Sequence, residues 1–395
     1  SVYLYDLGKR LRAMFSHRRV EQGSAKFYVR ISMATPFLKP QSRRPLTEAE
    51  LAFYKEHGYL IVKGALLASD FAAMKADLRA LVEAQTRAWV ASGMLPAAEL
   101  SSLLLLPFET RLAAVVAALR SRDGADSEAV SAEIERFGLS LDTMYARTRG
   151  MFDFFFRTRL LDVIQSIVGD EIMLSPIQHL RPYLPAVEVV PSSSDDPAGE
   201  QPRMVTPTAG AASLAPWHQD MGVTREEADG TDIVTCWIPL VTATSAMGAL
   251  KVIPNLHDPD SGKGDGLLEH VKHPQYGTTI RSDLITPHLA TLVDCPCELG
   301  DILLMHHFTP HRTGGPNVDE SASVRWSLDV RFQKRGTPTG RPFWPEIVVR
   351  SASDPDAEQR EYDEWCQRWA SDLETSVGER WHRVAGDVGG SIGGK

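Results

Sequence analysis

The sequence has few of the features that mark a secreted or membrane protein. Only four of its 395 residues are cysteines, which suits a reducing compartment better than a disulfide-rich extracellular fold. It contains no run of about 18 consecutive apolar residues, so no transmembrane helix is expected. The first 20 residues lack the apolar core and the small-residue cleavage site of a secretory signal. We therefore expect a cytoplasmic protein that has no membrane partner.

Acidic residues outnumber basic ones in this sequence. Lys and Arg together number 42 against 51 Asp and Glu, which gives a formal net charge of −9. Phosphate backbones are bound by clustered Lys and Arg, so this balance argues against a nucleic-acid partner. The chain is 43% hydrophobic and 24% charged, as in ordinary globular proteins. It shows no internal repeats, and nothing in it indicates an oligomeric state.

Helical patterns fill the first half of the chain. Thr47 and Glu50 form a capping-box signature, which predicts a helix over 48–57 that ends at Gly58. A β-prone run follows at 59–62, and Ser69-Asp70 opens a long amphipathic helix. Further helices are predicted over 108–119, 127–137 and 151–167.

From residue 172 the pattern changes to short strands separated by turns, which is typical of an antiparallel sandwich or barrel. Segments predicted as strands are 172–176, 179–184, 233–241, 249–253, 302–306 and 324–333. A polar stretch rich in Pro, Ser, Gly and Ala over 191–215 is predicted as a long loop. A helix over about 355–375 and a Gly-rich tail complete the chain. Helices first and strands second indicate an α+β protein.

The domain organisation predicted from this order has three parts. Residues 1–45 form an N-terminal extension, and 46–350 form a single domain. Within that domain the helical part covers about 46–170 and the β-rich core about 172–350. Residues 351–395 contribute the C-terminal helix and the tail.

The segment Pro216-Trp-His218-Gln-Asp220 carries the main chemical signal. If it is a strand, His218 and Asp220 project to the same face and can reach one metal ion. Downstream, the β-prone run that starts at Gly300-Asp301 contains three histidines, the last of which is His311. Two imidazoles and one carboxylate on one face of an octahedron form the facial triad of non-haem Fe(II) oxygenases.

Several ordered blocks resemble the phytanoyl-CoA dioxygenase family of Fe(II)/2-oxoglutarate oxygenases. The blocks are LTEAELAFYKEHGYLIVKGAL, PWHQD, CWIPL with GALKVIPNLH, GDILLMHHFTPHRT and RWSLDVRF, and they cover 46–66 and parts of 172–333. The resemblance implies a double-stranded β-helix, a jelly-roll or cupin-like barrel, that the enlarged N-terminal helical region buttresses.

The resemblance also implies roles for individual residues. Fe(II) would be held by His218, Asp220 and His311. Arg325 would pair with the distal carboxylate of 2-oxoglutarate, because a guanidinium suits bidentate carboxylate binding. Further candidates around 2-oxoglutarate are Thr313, Trp237 and Gln178, and candidates for the substrate pocket are Tyr183, Arg331 and Asp329. His306 and His307 are interpreted as packed or hydrogen-bonded histidines.

Alternation along the strand that contains Arg325 gives an independent expectation. If Arg325 faces the barrel interior, then Ser327, Asp329 and Arg331 share its face, and the residues between them pack against the helices. Asp329 would then be paired with one of the two arginines, since a charge that faces inward needs a partner. By the same alternation, Gln219 points away from the metal.

The function implied is hydroxylation of an unactivated C–H bond in a small-molecule substrate. Fe(II), 2-oxoglutarate and O₂ would be the cofactors, and succinate and CO₂ the co-products. Alternatives with the same cofactors are desaturation, epoxidation or ring rearrangement of a natural product. Alternatives of other classes are a non-enzymatic cupin-like metal-binding module and a hydrolytic zinc enzyme. The long loop and the insert at 257–270 are expected to border the site and to set substrate choice.

Overall fold

The computed structural model describes residues 44–121, 128–186, 189–190, 203–204, 215–260, 262, 264–273, 277–380 and 382–383. Nearly all of the predicted N-terminal extension and of the loop 191–215, and the whole Gly-rich tail, lie outside these residues.

Helices dominate the described chain before residue 170. Thr47 and Glu50 form the predicted capping box, in which Glu50 accepts a 2.8 Å hydrogen bond from the backbone N–H of Thr47. Gly58 ends the first helix at φ 76°, as predicted. The helices are α1 Glu48–His57, α2 Ala72–Ala91, α3 Leu100–Leu105, α4 Phe108–Arg120, α5 Glu128–Ser140, α6 Thr143–Ala146, α7 Arg149–Phe155, α8 Thr158–Val168, α9 Asp220–Val223, α10 Ser282–Ile285 and α11 Tyr362–Thr375.

Two helix predictions differ from the structure. The single helix predicted over 151–167 is divided into α7 and α8, because Arg157 adopts extended backbone at φ −64°, ψ 123°. Both pieces contain buried apolar residues, so the apolar pattern of the sequence continues across the break and does not reveal it. The C-terminal helix begins at Tyr362 rather than near 355, because Pro355–Ala357 forms a separate 3₁₀ turn.

The strands form one large antiparallel sheet and three small ones. The strands are β1 Tyr59–Val62, β2 Glu171–Leu174, β3 His179–Tyr183, β4 Val189–Val190, β5 Arg203–Met204, β6 Ile233–Pro239, β7 Leu250–Val252, β8 His270–His273, β9 Gly277–Ile280, β10 Val293–Asp294, β11 Ile302–His306, β12 His311–Thr313, β13 Arg325–Lys334 and β14 Ile347–Ser351. The large sheet has the order β1-β11-β6-β13-β2-β14, and β3 also pairs with β13. A three-stranded sheet has the order β10-β7-β12, and β4-β5 and β8-β9 are separate pairs.

The large sheet packs against the helices on one face and towards the three-stranded sheet on the other. On the helical face Trp326 stacks on Phe108 of α4, with ring centroids 5.0 Å apart. Leu328 and Val330 belong to the same apolar cluster, which confirms the predicted alternation along β13. On the opposite face a smaller cluster joins Trp237 of β6 to Val252 of β7.

The structure is therefore a mixed α+β protein with an antiparallel sheet and an N-terminal helical region. The strands in the described residues do not close into a barrel. No helix in this part of the chain is long and apolar enough to cross a membrane.

Candidate active site

His218 and His311 come from distant segments and are joined by backbone hydrogen bonds. The N–H of His218 donates to the carbonyl of His311 at 3.0 Å, and the reverse bond is 2.9 Å long. Their ring centroids lie 4.1 Å apart. His311 is the first residue of β12, which pairs with β7 in the three-stranded sheet. His311 is thus part of this sheet, and its backbone hydrogen bonds hold His218 beside it.

Asp220 does not continue a strand from His218, and that prediction is wrong. Gln219 is extended, and Asp220 is the first residue of the short helix α9. Within this turn Gly222 packs closely on His270: a Cβ at Gly222 would lie 2.2 Å from the ring of His270. The turn nevertheless leaves the Asp220 carboxylate beside the two imidazoles.

One candidate ligand atom from each of His218, Asp220 and His311 lies within 4.8 Å of the others. Nδ1 of His218 lies 2.8 Å from the carbonyl of Pro216, and Nδ1 of His311 lies 3.0 Å from that of Thr309. A carbonyl can only accept, so each Nδ1 carries the proton and each Nε2 keeps its lone pair. Nε2 of His218 is 3.9 Å from Oδ1 of Asp220. This donor set fits a divalent metal ion.

The charges of these groups also suit a cation. Burial, together with the neighbouring His311, lowers the pKa of His218 to about 3, so its imidazole is neutral at physiological pH. Burial opposes ionisation of Asp220, but the guanidinium of Arg331, together with His311 and His218, holds the pKa of Asp220 far below its usual range. The hydroxyl of Thr235 donates a further hydrogen bond to Oδ2 of Asp220.

A second cluster, formed by Asp232, His306 and His307, also brings three ligand atoms within 4.8 Å of one another. Its histidines are arranged differently. Nδ1 of His306 accepts a 3.2 Å hydrogen bond from the N–H of Phe308, which places the ring proton on Nε2. The second cluster is therefore the poorer donor set.

Arg325 lies on the inner face of β13 and has an unusual environment. Its guanidinium carbon is 4.6 Å from the ring centroid of Tyr183 and 5.6 Å from that of Trp237, and Nη1 donates to the carbonyl of Gly248. Among the described residues no carboxylate pairs with it, and its Nε has no hydrogen-bond partner. Burial lowers the pKa of Arg325 to about 10. A buried cation without a protein counter-charge fits an anionic ligand such as a carboxylate.

Gly248 shapes this pocket. Its φ is +72°, and an added Cβ would lie 2.4 Å from the carbonyl oxygen of Gly315 and 2.8 Å from the ring of Tyr183. The hydroxyl of Tyr183 donates to that same carbonyl at 2.8 Å. The backbone at position 248 can approach the Gly315 carbonyl and the Tyr183 ring this closely only because glycine has no side chain.

The other predicted site residues have local partners. The Thr313 hydroxyl accepts a 3.0 Å hydrogen bond from the N–H of Ala215. The Gln178 side chain is buried and donates to the carbonyl of Ser175 at 2.9 Å, while its Oε1 has no partner among the described residues. Gln219 is directed into the insert, where its amide donates to the carbonyl of Gly266 at 2.7 Å.

Sequence reasoning missed the partners of Asp220. It expected Asp329 to pair with an arginine, and Asp329 does lie 3.4 Å from Arg331. The same guanidinium also contacts Asp220, in a pair that is almost fully buried. Thr235 was not considered, although it lies two residues before Trp237 on β6 and so shares its face.

Comparisons with known proteins agree on the class. A sequence model described as phytanoyl-CoA dioxygenase (PhyH) matches residues 54–321, more than half of the chain. The 1-deoxypentalenic acid 11-beta-hydroxylase of Streptomyces arenae is 31% identical over 145 residues, which are 34% of this chain and 47% of that protein. The enzyme of the same name from Streptomyces exfoliatus is 31% identical over 146 residues, with the same shares. The chain thus matches about half the length of these relatives.

Solved structures show remote likenesses. The non-heme monooxygenase ThoJ in its apo form is 16% identical with a TM-score of 0.41, covering 82% of this chain and 93% of that one. The epimerase SnoN in complex with Fe³⁺, alpha ketoglutarate and nogalamycin RO is 17% identical with a TM-score of 0.39, covering 74% and 86%. By the extent of the family match, this chain belongs to the phytanoyl-CoA dioxygenase (PhyH) family of non-haem iron, 2-oxoglutarate-dependent oxygenases.

Proposed function

We propose that this protein is a dioxygenase that hydroxylates an unactivated C–H bond of a small molecule, with release of succinate and CO₂. His218, Asp220 and His311 would hold Fe(II), and Arg325 would hold 2-oxoglutarate. The observation that carries the proposal is the pairing of a two-imidazole, one-carboxylate donor set with a buried arginine to which the described residues offer no carboxylate partner. A module that only binds metal has no use for such an arginine.

Each residue has a defined task. When bound, iron and 2-oxoglutarate together supply the activation of O₂. The protein keeps both imidazoles neutral and correctly oriented, through the carbonyls of Pro216 and Thr309. Arg325 supplies the charge that attracts and orients the co-substrate carboxylate, and the rings of Tyr183 and Trp237 exclude water from it. Thr313 and Gln178 are the further candidates for co-substrate contacts.

The carboxylate ligand narrows the reaction type. Asp220 would occupy the coordination position that a halide would need. Hydroxylation is therefore favoured over halogenation. The two hydroxylase relatives support this outcome, although they are matched over less than half of their length. Desaturation, epoxidation and ring rearrangement use the same cofactors and would be recognised from the product mass.

The two facing sheets support a double-stranded β-helix arrangement within one domain over 46–350. The triad lies where the three-stranded sheet meets the segment that leads to α9. A natural-product-sized molecule is the proposed substrate, and Tyr183, Arg331 and Asp329 remain candidates for its pocket.

The test is an anaerobic titration of Fe(II) and then 2-oxoglutarate, followed by the visible charge-transfer band of the chelate. We expect the band in the wild type and in His306→Ala, and its loss in His311→Ala. Metal binding without the band in the wild type would favour the metal-binding module or the zinc hydrolase. Loss of the band in His306→Ala but not in His311→Ala would indicate that the second cluster binds the iron.

A further inference from the structure

Both carboxylate oxygens of Asp220 are already used by protein groups. Nη2 of Arg331 donates to Oδ1, and the hydroxyl of Thr235 donates to Oδ2. Asp220 is fully buried, so water does not compete for either oxygen. The orientation of this carboxylate is therefore set by two donors.

The two donors are themselves held in register. Arg331 of β13 and Thr235 of β6 are directly opposite each other in the antiparallel pairing, so their side chains rise from the same face of the sheet. Nη1 of Arg331 also donates to the carbonyl of Ile177 at 3.2 Å. The guanidinium is thus held by the segment between β2 and β3 on one side and by Asp220 on the other.

We infer that Arg331 and Thr235 are positioning residues that allow Asp220 to offer only one oxygen to a metal ion. The inference rests on the proposed function, because it concerns the same metal site. Oδ2, which accepts from Thr235, would be the oxygen withheld, and Oδ1, nearer to Nε2 of His218, the oxygen shared with the metal. This role is separate from substrate binding, for which Arg331 was first considered.

The consequence concerns the number of open coordination positions. Three single-oxygen or single-nitrogen ligands leave three positions of an octahedron, enough for a chelating oxoacid and O₂. A carboxylate that binds through both oxygens takes one of these positions. Arg331 also places a positive charge beside the site, which weakens binding of a divalent cation. It would therefore favour co-substrate binding at some cost in metal affinity.

The test separates these two affinities. Arg331→Met removes the charge and the hydrogen bonds but keeps an unbranched side chain. We expect its affinity for Co(II), used as a stable probe ion, to rise by about tenfold, since Coulomb repulsion is relieved. We expect its affinity for 2-oxoglutarate in the Co(II) protein to fall by about tenfold or more, with a visible Co(II) spectrum that changes less on addition of 2-oxoglutarate.

Two further variants make the experiment independent of the folding of Arg331→Met. Thr235→Val frees Oδ2 while Arg331 remains, so we expect the same fall in 2-oxoglutarate affinity with little change in Co(II) affinity. Arg335→Met makes the same replacement at a partly exposed arginine just beyond the end of β13, and serves as the matched control. Its Co(II) spectrum should equal that of the wild type.

The outcomes are distinguishable. Equal losses of Co(II) and 2-oxoglutarate affinity in Arg331→Met and Thr235→Val would indicate a merely structural role and overturn the inference. Unchanged affinities in both would overturn it as well. If the wild type and His311→Ala bind Co(II) equally, the ion is not held at His311. That result would contradict the proposed function itself rather than the roles of Arg331 and Thr235.

Discussion

Arg325 and Tyr183 are register partners across the pairing of β13 with β3, and the guanidinium carbon lies 4.6 Å from the ring centroid. The ring shields the cation, while the Tyr183 hydroxyl is held by the carbonyl of Gly315. The charge is therefore desolvated and oriented before any ligand arrives. Preorganisation of this kind lowers the cost of binding an anion.

Replacement of Arg325 should weaken binding of the co-substrate and leave metal binding unchanged. Charged hydrogen bonds contribute about 1.5–3 kcal/mol, so Arg325→Met should weaken 2-oxoglutarate binding by about 10- to 100-fold. The apo-protein should be no less stable, since the replacement removes a buried charge that has no carboxylate partner among the residues that the structure describes. Thermal melts with and without 2-oxoglutarate, in the Fe(II)-loaded anaerobic protein, would show both effects.

Arg335→Met is the control for Arg325, because Arg335 is partly exposed just beyond the end of β13. It should keep the thermal shift caused by 2-oxoglutarate. Unchanged affinity in Arg325→Met would mean that another basic residue binds the co-substrate.

Gly248→Ala should damage the same pocket through the backbone. The new methyl group would lie 2.4 Å from the Gly315 carbonyl and 2.8 Å from Tyr183, so these groups must move and Arg325 loses its contacts. We expect at least a tenfold loss of 2-oxoglutarate affinity, about 1.4 kcal/mol. Gly336→Ala is the matched control, since Gly336 also has a positive φ, +82°, but has open space around it. Equal losses in both variants would assign the effect to backbone strain alone.

The stack of Phe108 on Trp326 should be a main source of stability. Phe108 is 4% exposed and Trp326 is fully buried, so Phe108→Ala should lower the free energy of unfolding by about 3–5 kcal/mol. Replacement of Phe53, which is 39% exposed, by Ala should lower the free energy of unfolding by about 1 kcal/mol or less. Denaturant unfolding of the two variants measures the difference. Similar values for both would contradict the assignment of the main core to the helical face of the sheet.

The capping box of α1 should contribute a pH-dependent part of the stability. The hydrogen bond from Arg44, with that from Thr47, lowers the pKa of Glu50 to about 2 despite partial burial. A lowered carboxyl pKa stabilises the fold above the unfolded value of 4.5 and loses this effect as the pH falls through about 2. Glu50→Ala should therefore cost about 1 kcal/mol at pH 7. The difference from the wild type should shrink steadily between pH 4.5 and pH 2.

Glu48→Ala is the control for Glu50, because Glu48 is exposed in the same helical turn. Unfolding curves at pH 7 and pH 3 would compare the variants. A Glu50→Ala difference that stays constant with pH would show that the carboxylate charge is not responsible.

Local patterns determined much of this protein. The capping box at Thr47, the helix stop at Gly58 and the alternation along β13 all depend on neighbours within a few residues, so the sequence alone predicts them. The blocks that resemble the family also placed His218 and His311 in the candidate site. These features need no knowledge of distant contacts.

Tertiary structure decided the rest. The break at Arg157 and the helix that begins at Asp220 both interrupt a pattern that is continuous in the sequence. The partners of Asp220 are Arg331 and Thr235, which lie far from it in the chain. Hydrogen bonds and ion pairs depend on distances of a few ångströms, and the distances between separate segments are set only when the sheets and helices pack together.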